Sequence, residues 1–172
     1  CRGFTTEGDR KNIGQFKGNK KIKAENLMIV DLLRNDLGRI CQKVRAAKLF
    51  EIERHPTLYQ MTSTVEGRLR DDVEIKDIFS SLFPSGSVTG APKIKTMEII
   101  KHLERAPRGI YTGAIGYISP LKAACFNVAI RTVLIRDGKG ELGVGGGIVY
   151  DSSEAAEYDE ALLKAKFLTE RP

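Results

Sequence analysis

Residues 126–168 read FNVAIRTVLIRDGKGELGVGGGIVYDSSEAAEYDEALLKAKFL, a pattern of two strands followed by a helix. Phe126–Arg136 and Glu141–Tyr150 are strand-like runs, and the DGKG between them is a hairpin signature. Residues 151–153 (DSS) can cap a helix, which we predict from about Ser153 to Leu168. This stretch therefore predicts an antiparallel hairpin and then a C-terminal helix.

Upstream of this stretch, helical and strand patterns alternate. Apolar residues at i, i+3 and i+4 spacing predict a helix over about 24–44, and residues 58–69 have the composition of a strand. A Gly/Ser/Thr/Pro loop at 83–92 leads into a predicted helix from about Lys93 to Leu103. A further strand is predicted at Ile110–Ser119. The order of elements predicts an α+β fold with largely antiparallel strands.

The composition is that of an ordinary globular protein. The 172 residues are enough for one domain, and hydrophobic and charged fractions of 41% and 29% exclude a disordered, collagen-like or low-complexity chain. No apolar run approaches the ~18 residues that cross a bilayer, so we predict no membrane partner. Three distant cysteines without a CxxC pair indicate a reducing, cytoplasmic location. The first residue is Cys1 and not Met, which suggests a piece of a longer polypeptide.

The net charge of +6 is concentrated at one end of the chain. Residues 1–24 hold seven Lys or Arg and two acidic residues, so we predict a basic, loop-rich head at 1–20. A nucleic-acid footprint usually spreads over a folded face with aromatic residues between the charges. We therefore predict a solvated charge run and no nucleic-acid partner, although a basic head would attract a small anionic substrate.

Carboxylates at helical spacing form a first candidate site. Glu25 lies within about 40° of Ile29 and Leu32 on the predicted first helix. Asp36 falls on the same face, so the spacing predicts acids that enter the core. A buried carboxylate needs a counter-charge, a hydrogen bond or a metal ion. A buried salt bridge to an Arg and a metal site are both compatible with this spacing.

The last predicted helix carries a second candidate site. Offsets of three and seven residues put Glu157, Glu160 and Lys164 on one stripe, whereas Asp159 is rotated away from Glu160 by about 100°. Two carboxylates one turn apart repel each other unless a cation lies between them, and they offer the hard oxygen ligands that Mg²⁺ prefers. The alternative is an exposed helix on which Glu160 pairs with Lys164, worth about 0.3–0.5 kcal/mol.

Two further features could receive an anion. Gly145–Gly147 leave backbone N–H groups unshielded, so a carboxylate or phosphate can approach them closely, although the glycines match no dinucleotide fingerprint. Arg131 is the one basic residue within its predicted strand before residue 136. Strict alternation would place Arg131 on one face with Ala129 and Val133, where it would need an anionic partner.

Five stretches together resemble the motifs of a known family. They are AENLMIVDLLRNDL (24–37), FPSGSVTGAPKIKTMEII (83–100), GAIGYIS (113–119), FNVAIRT (126–132) and GGGIVYDSSEAAEYDE (145–160). Similar motifs occur in this order in the chorismate-binding enzymes, which include the anthranilate, aminodeoxychorismate, isochorismate and salicylate synthases. The resemblance extends from Arg2 onward. It implies that 1–172 is the C-terminal portion of one catalytic domain, half of an α/β sandwich of antiparallel sheets with helices packed outside.

The resemblance also implies a metal-dependent site for chorismate. Carried over by matching positions, Glu25, Glu157 and Glu160 would bind Mg²⁺, and the metal would hold the ring carboxylate. The groups that would hold or surround the substrate are Thr89, Gly90, Tyr117, Arg131, Gly145, Gly146, Gly147 and Lys164. The nucleophilic Lys and the acid of the family are expected before Cys1. The resemblance therefore places no catalytic residue in this chain, which we expect to be inactive in isolation.

Two positions depart from the family pattern. Ile22 stands three residues before Glu25, where many relatives carry an acid. Gln60 stands where several relatives carry His, and an amide cannot act as a general acid or base near neutral pH.

Within the family, residues 24–36 and 83–93 are most similar to component I of the aminodeoxychorismate branch. That similarity implies an enzyme of para-aminobenzoate and folate biosynthesis, which makes 4-amino-4-deoxychorismate with ammonia from a glutamine amidotransferase subunit or domain. Two alternatives stay open. One is the anthranilate branch of tryptophan biosynthesis, and the other is a non-catalytic anion-binding module in which Glu157 and Glu160 are ordinary solvated side chains.

Overall fold

The computed structural model describes residues 20–54 and 59–169. The chain forms two compact units, Cys1–Leu82 and Phe83–Pro172. The predicted basic head at 1–20 lies outside the described residues, except for Lys20. No helix within the described ranges is both long enough and apolar enough to cross a membrane.

Over residues 20–54 and 59–82, which the structure describes, the first unit contains two helices and one antiparallel ribbon. Its elements are α1 (Lys20–Gly38), β1 (Cys41–Arg54), β2 (Tyr59–Leu69) and α2 (Ile75–Leu82). Strand β1 pairs with β2 from Cys41 opposite Leu69 to Arg54 opposite Tyr59, with three irregularities in the register. Val30, Ile40, Cys41 and Met61 are buried in this unit. The predicted strand at 58–69 is confirmed.

The predicted extension of the first helix to Val44 is wrong. The helix ends at Gly38, and Ile40 and Cys41 are buried at the start of β1 instead. Glycine is a poor helix former, and the turn after it is closed by a 3.0 Å hydrogen bond from the Ile40 N–H to the Leu37 carbonyl. Strand β1 holds two each of Ala, Lys, Arg and Glu, which favour helix locally, so pairing with β2 overrides its propensity.

Over its described residues, 83–169, the second unit contains three helices and two antiparallel hairpins. Its elements are α3 (Gly86–Thr89), α4 (Lys93–Leu103), β3 (Ala114–Ile118), β4 (Ala124–Val128), β5 (Val133–Arg136), β6 (Lys139–Leu142) and α5 (Glu154–Thr169). Strand β3 pairs with β4, and β5 pairs with β6. Every strand pair of the described residues is antiparallel, so the predicted α+β class with antiparallel strands is confirmed.

The predicted hairpin turn is present, but the strands around it are shorter than predicted. Asp137 and Gly138 both have positive φ, 52° and 73°, as a two-residue type I′ turn requires. The long run before the turn is interrupted between β4 and β5, where Arg131 has a φ of 52°. Strict strand alternation therefore fails at Arg131, and its predicted face with Ala129 and Val133 is wrong. No strand continues from β6 through 143–150.

Candidate functional site

The three residues of the predicted helical stripe lie on α5. Lys164 Nζ is 3.0 Å from Glu160 Oε1, and only 28% and 27% of the two side chains are exposed. Glu157 is also partly buried, whereas Asp159 is exposed. The Glu160–Lys164 pair of the exposed-helix alternative is therefore present, but both side chains are partly buried and the stripe faces protein.

The glycine segment after β6 lies against the charged ends of this stripe. Lys164 Nζ donates a 2.9 Å hydrogen bond to the carbonyl of Gly145. A Cβ atom added to Gly146 would lie 3.0 Å from Glu157 Oε2 and 3.7 Å from Lys164 Nζ. The absence of a side chain at Gly146 thus leaves room for the Glu157 carboxylate beside the backbone, whereas the distance to Lys164 is an ordinary van der Waals contact.

Ser152 fixes the orientation of Glu157. Its hydroxyl donates a 2.7 Å hydrogen bond to Glu157 Oε1 and accepts a 3.0 Å hydrogen bond from the Val149 N–H. The helix cap is the neighbouring Ser153, whose Oγ accepts a 3.4 Å hydrogen bond from the Ala156 N–H. Of the three possible caps in the sequence, Ser153 takes that role, and Ser152 leaves Glu157 Oε2 directed toward Gly146.

Tyr111 is a member of this cluster that the sequence reasoning missed. A Cβ atom on Gly143 would overlap the Tyr111 ring, and one on Gly145 would lie 2.8 Å from the Tyr111 hydroxyl oxygen. Burial raises the pKa of Tyr111 above its ordinary value, while the nearby Arg108 charge opposes the shift. Tyr111 is distant in sequence from Gly143 and Gly145, so no local pattern could have placed it here.

Thr89 and Gly90 lie at the end of α3. The Thr89 hydroxyl donates a 3.0 Å hydrogen bond to the Ser85 carbonyl. Gly90 has φ 130° and ψ −177°, a conformation that is essentially restricted to glycine. A Cβ atom there would also come within 3.0 Å of Thr96 Cγ2. The backbone at Gly90 therefore depends on glycine for both conformation and space.

Tyr117 and Arg131 are exposed in the structure. Tyr117 lies on β3 with 64% of its surface accessible, and Arg131 lies in the bend between β4 and β5. Neither side chain makes a hydrogen bond or ion pair within the ranges that the structure describes. Their assignment to the substrate stays a prediction.

The two acids of the first helix differ in burial. Asp36 is buried on α1, as its spacing predicts, and its backbone carbonyl accepts a 2.5 Å hydrogen bond from the Ser81 hydroxyl. Glu25 lies on α1 with an exposed side chain, so the predicted entry of its carboxylate into the core is not seen. Its assignment to the metal stays a prediction.

The acids of α5 have the chemistry of magnesium ligands. Within residues 20–54 and 59–169, no three His, Cys, Asp or Glu side chains lie together in a group that could hold a metal ion. Mg²⁺ is commonly held by only one or two protein carboxylates and keeps several waters. Glu157, held at one oxygen by Ser152, and Glu160, one turn away, fit that requirement with hard oxygen donors on one helix face.

Comparisons with known proteins agree on one family. The family model described as chorismate binding enzyme matches residues 1–170. A probable chloroplastic aminodeoxychorismate synthase of Oryza sativa subsp. japonica is 46% identical over 168 residues, which are 96% of this chain and 19% of that protein. The anthranilate synthase component 1 of Mycolicibacterium smegmatis is 42% identical over 167 residues, 96% of this chain and 32% of that protein.

A solved structure has the same fold. The crystal structure of anthranilate synthase component I from Streptococcus pneumoniae TIGR4 matches with a TM-score of 0.86 and 40% identity. The match covers 93% of this chain and 37% of the solved chain. The chain spans about a fifth of the length of the Oryza sativa relative and about a third of the length of the Mycolicibacterium smegmatis relative.

Proposed function

This chain belongs to the chorismate-binding enzyme family, and from that membership we propose that it forms part of an enzyme that converts chorismate to 4-amino-4-deoxychorismate. The observation that carries the proposal is the contact of the Gly145–Gly146 backbone with Glu157 and Lys164 on α5. A glycine segment without side chains, an ammonium group and two carboxylates lie together there, which suits a dianionic substrate bound with a divalent cation.

Lys164 supports the proposal because its contacts within the described part of the chain use two of its three donors. An ammonium group has three hydrogen-bond donors. One is directed to the Gly145 carbonyl and another to Glu160 Oε1. The third can donate to a substrate carboxylate beside the glycine segment, where the N–H groups of Gly146 and Gly147 can add further hydrogen bonds. Tyr111, whose hydroxyl lies beside Gly145, joins the proposed substrate groups.

Glu157 and Glu160 are the proposed metal ligands in this unit. Mg²⁺, when bound, would neutralise the charge of the substrate's ring carboxylate and help to orient the ring. Ser152 restrains Glu157 so that its carboxylate does not have to be ordered when the metal arrives. Lys164 neutralises part of the negative charge on Glu160, which lowers the repulsion between the two acids.

The amino group of the proposed product requires ammonia. We propose that a glutamine amidotransferase subunit or domain supplies it, as the aminodeoxychorismate branch implies. Several relatives that match most of this chain are named aminodeoxychorismate synthase, including component 1 of Bacillus subtilis at 41% identity. These names favour the aminodeoxychorismate reaction over the anthranilate reaction.

Product analysis tests this proposal. The complete protein, incubated with chorismate, Mg²⁺ and an ammonium salt, is expected to form 4-amino-4-deoxychorismate, identified by liquid chromatography and mass spectrometry. Removal of ammonium or chelation of Mg²⁺ should abolish the product. Fluorescent anthranilate with equimolar pyruvate would instead assign the protein to the anthranilate branch. Unchanged chorismate under all conditions would contradict an enzyme of this family's chemistry.

A further inference from the structure

The guanidinium of Arg108 connects several segments of the second unit. Its Nε and Nη2 donate to both carboxylate oxygens of Glu104, at 2.8 and 2.7 Å. Its Nη1 donates to the carbonyl of Val88 at 2.9 Å and lies 3.4 Å from the Thr112 hydroxyl. Only a quarter of the Arg108 side chain is exposed.

Two of the segments that Arg108 contacts, those of Val88 and Thr112, adjoin proposed substrate groups. Val88 precedes Thr89 on α3. Thr112 is buried, and its N–H donates a 2.8 Å hydrogen bond to the Ala129 carbonyl, next to the bend that carries Arg131. The Val88 and Thr112 segments are not paired in one sheet, so Arg108 supplies a direct connection between those two segments.

The third connection runs through Tyr111. The guanidinium carbon of Arg108 lies 5.9 Å from the centre of the Tyr111 ring, within cation–π range. The same ring packs along the backbone from Gly143 to Gly145. The Gly145 carbonyl in turn accepts from Lys164. A shift of Arg108 would therefore move the Tyr111 ring, and Tyr111 contacts the glycine segment directly.

Glu104 holds Arg108 in this position. The two-point contact fixes the plane of the guanidinium as well as its distance, which a lysine ammonium cannot reproduce. The hydrogen bond from Arg108 lowers the pKa of the Glu104 carboxyl below its ordinary value, so the pair stays charged to lower pH than an isolated Glu would.

We propose that Arg108, oriented by Glu104, is a positioning residue for chorismate: it sets Tyr111 and the Val88–Thr89 backbone in the geometry that receives the substrate. The inference rests on the proposed function, since it names a residue that acts through the substrate groups of that site. All three nitrogens of Arg108 donate to protein atoms, so we assign it a positioning role and no contact with the substrate.

Steady-state kinetics of the complete protein test this role. At saturating Mg²⁺, Arg108→Lys should raise the KM for chorismate about tenfold, the effect of losing one hydrogen bond to a charged group, with a smaller change in kcat. Arg105→Lys is the matched control, because Arg105 is exposed and should keep the parental KM. Glu104→Gln keeps one acceptor oxygen and should raise the KM in the same direction by a smaller factor.

A double-variant cycle with Tyr111→Phe gives the decisive comparison. Arg108 acts partly through Tyr111, so the two substitutions should not be independent. The product of the KM increases of Arg108→Lys and Tyr111→Phe should therefore exceed the KM increase of the double variant. A parental KM in Arg108→Lys and Glu104→Gln, with only a lower melting temperature, would mean a purely structural role and overturn the inference. A parent enzyme that does not consume chorismate would overturn the proposed function itself, which this series reveals before any variant is compared.

Discussion

Glu160→Gln should raise the Mg²⁺ concentration for half-maximal activity by at least about tenfold, the effect of losing one charged ligand interaction. The amide keeps the size of the side chain and one acceptor oxygen but removes the negative charge that a hard cation needs. Glu160 also lies beside Lys164, so its loss leaves that ammonium without its carboxylate partner on α5. The chorismate KM should rise in parallel because the Mg²⁺ that Glu160 would hold would neutralise the charge of the substrate's ring carboxylate.

Asp159→Asn is the matched control for this prediction. Asp159 precedes Glu160 in the sequence and is exposed, so the same change of charge should leave the Mg²⁺ requirement within about twofold, as for surface substitutions. Initial rates are measured against Mg²⁺ at several chorismate concentrations. Excess Mg²⁺ should partly restore Glu160→Gln but should not be needed for Asp159→Asn. Equal, small effects of both substitutions would mean that the α5 stripe is not a metal site.

Lys164→Met should raise the chorismate KM by about tenfold to a hundredfold at every Mg²⁺ concentration. Methionine fills a similar length but removes the ammonium that contacts Gly145 and Glu160. The Mg²⁺ requirement should not increase, because the substitution frees Glu160 from its ion pair. This pattern separates a substrate group from a metal ligand.

Lys166→Met supplies the control for Lys164→Met. Lys166 is exposed and lies about 200° around α5 from Lys164. The Lys166→Met variant should keep the parental chorismate KM. A rise in KM that disappears at high Mg²⁺ in Lys164→Met would contradict the assignment of Lys164 to the substrate and would make it a group that acts through the metal.

The parts of the fold that were predicted correctly are those in which local chemistry decides the structure. Asp137 and Gly138 form the turn because a two-residue hairpin needs two positive φ angles, which Asp and Gly tolerate well. Helix α5 begins after Ser153 because a serine oxygen satisfies an otherwise unpaired N–H of the first turn. In both places the local sequence and the tertiary structure favour the same conformation.

The errors occurred where a distant segment decides the structure. Strand β1 has helix-forming residues, and its pairing with β2 could not be deduced from its own pattern. Arg131 lies in a bend at positive φ, which alternation along one strand does not reveal. Tyr111 reaches the glycine segment by a long-range contact, and Ser152 had the same local signal as the actual cap, Ser153.

The candidate site was predictable to a similar extent. Helical spacing alone placed Glu157, Glu160 and Lys164 on one face of α5, and the structure confirms that face. Spacing could not show that the Gly145–Gly146 backbone lies against that face, since the segment and the helix are separate elements. The family resemblance groups the glycine segment with the charged residues of α5 in one site. The hydrogen bond from Lys164 to the Gly145 carbonyl supports that grouping.

Isothermal titration calorimetry tests the central claim most directly: the acids of α5 and the adjoining glycine segment bind chorismate together with Mg²⁺. Chorismate is titrated into the complete parent protein and Glu160→Gln, with Mg²⁺ and with a chelator. We expect Mg²⁺ to tighten chorismate binding to the parent by about tenfold or more, a coupling free energy within the usual range, and Glu160→Gln to lose most of this coupling. Chorismate binding that is equally tight in all four titrations would contradict the claim.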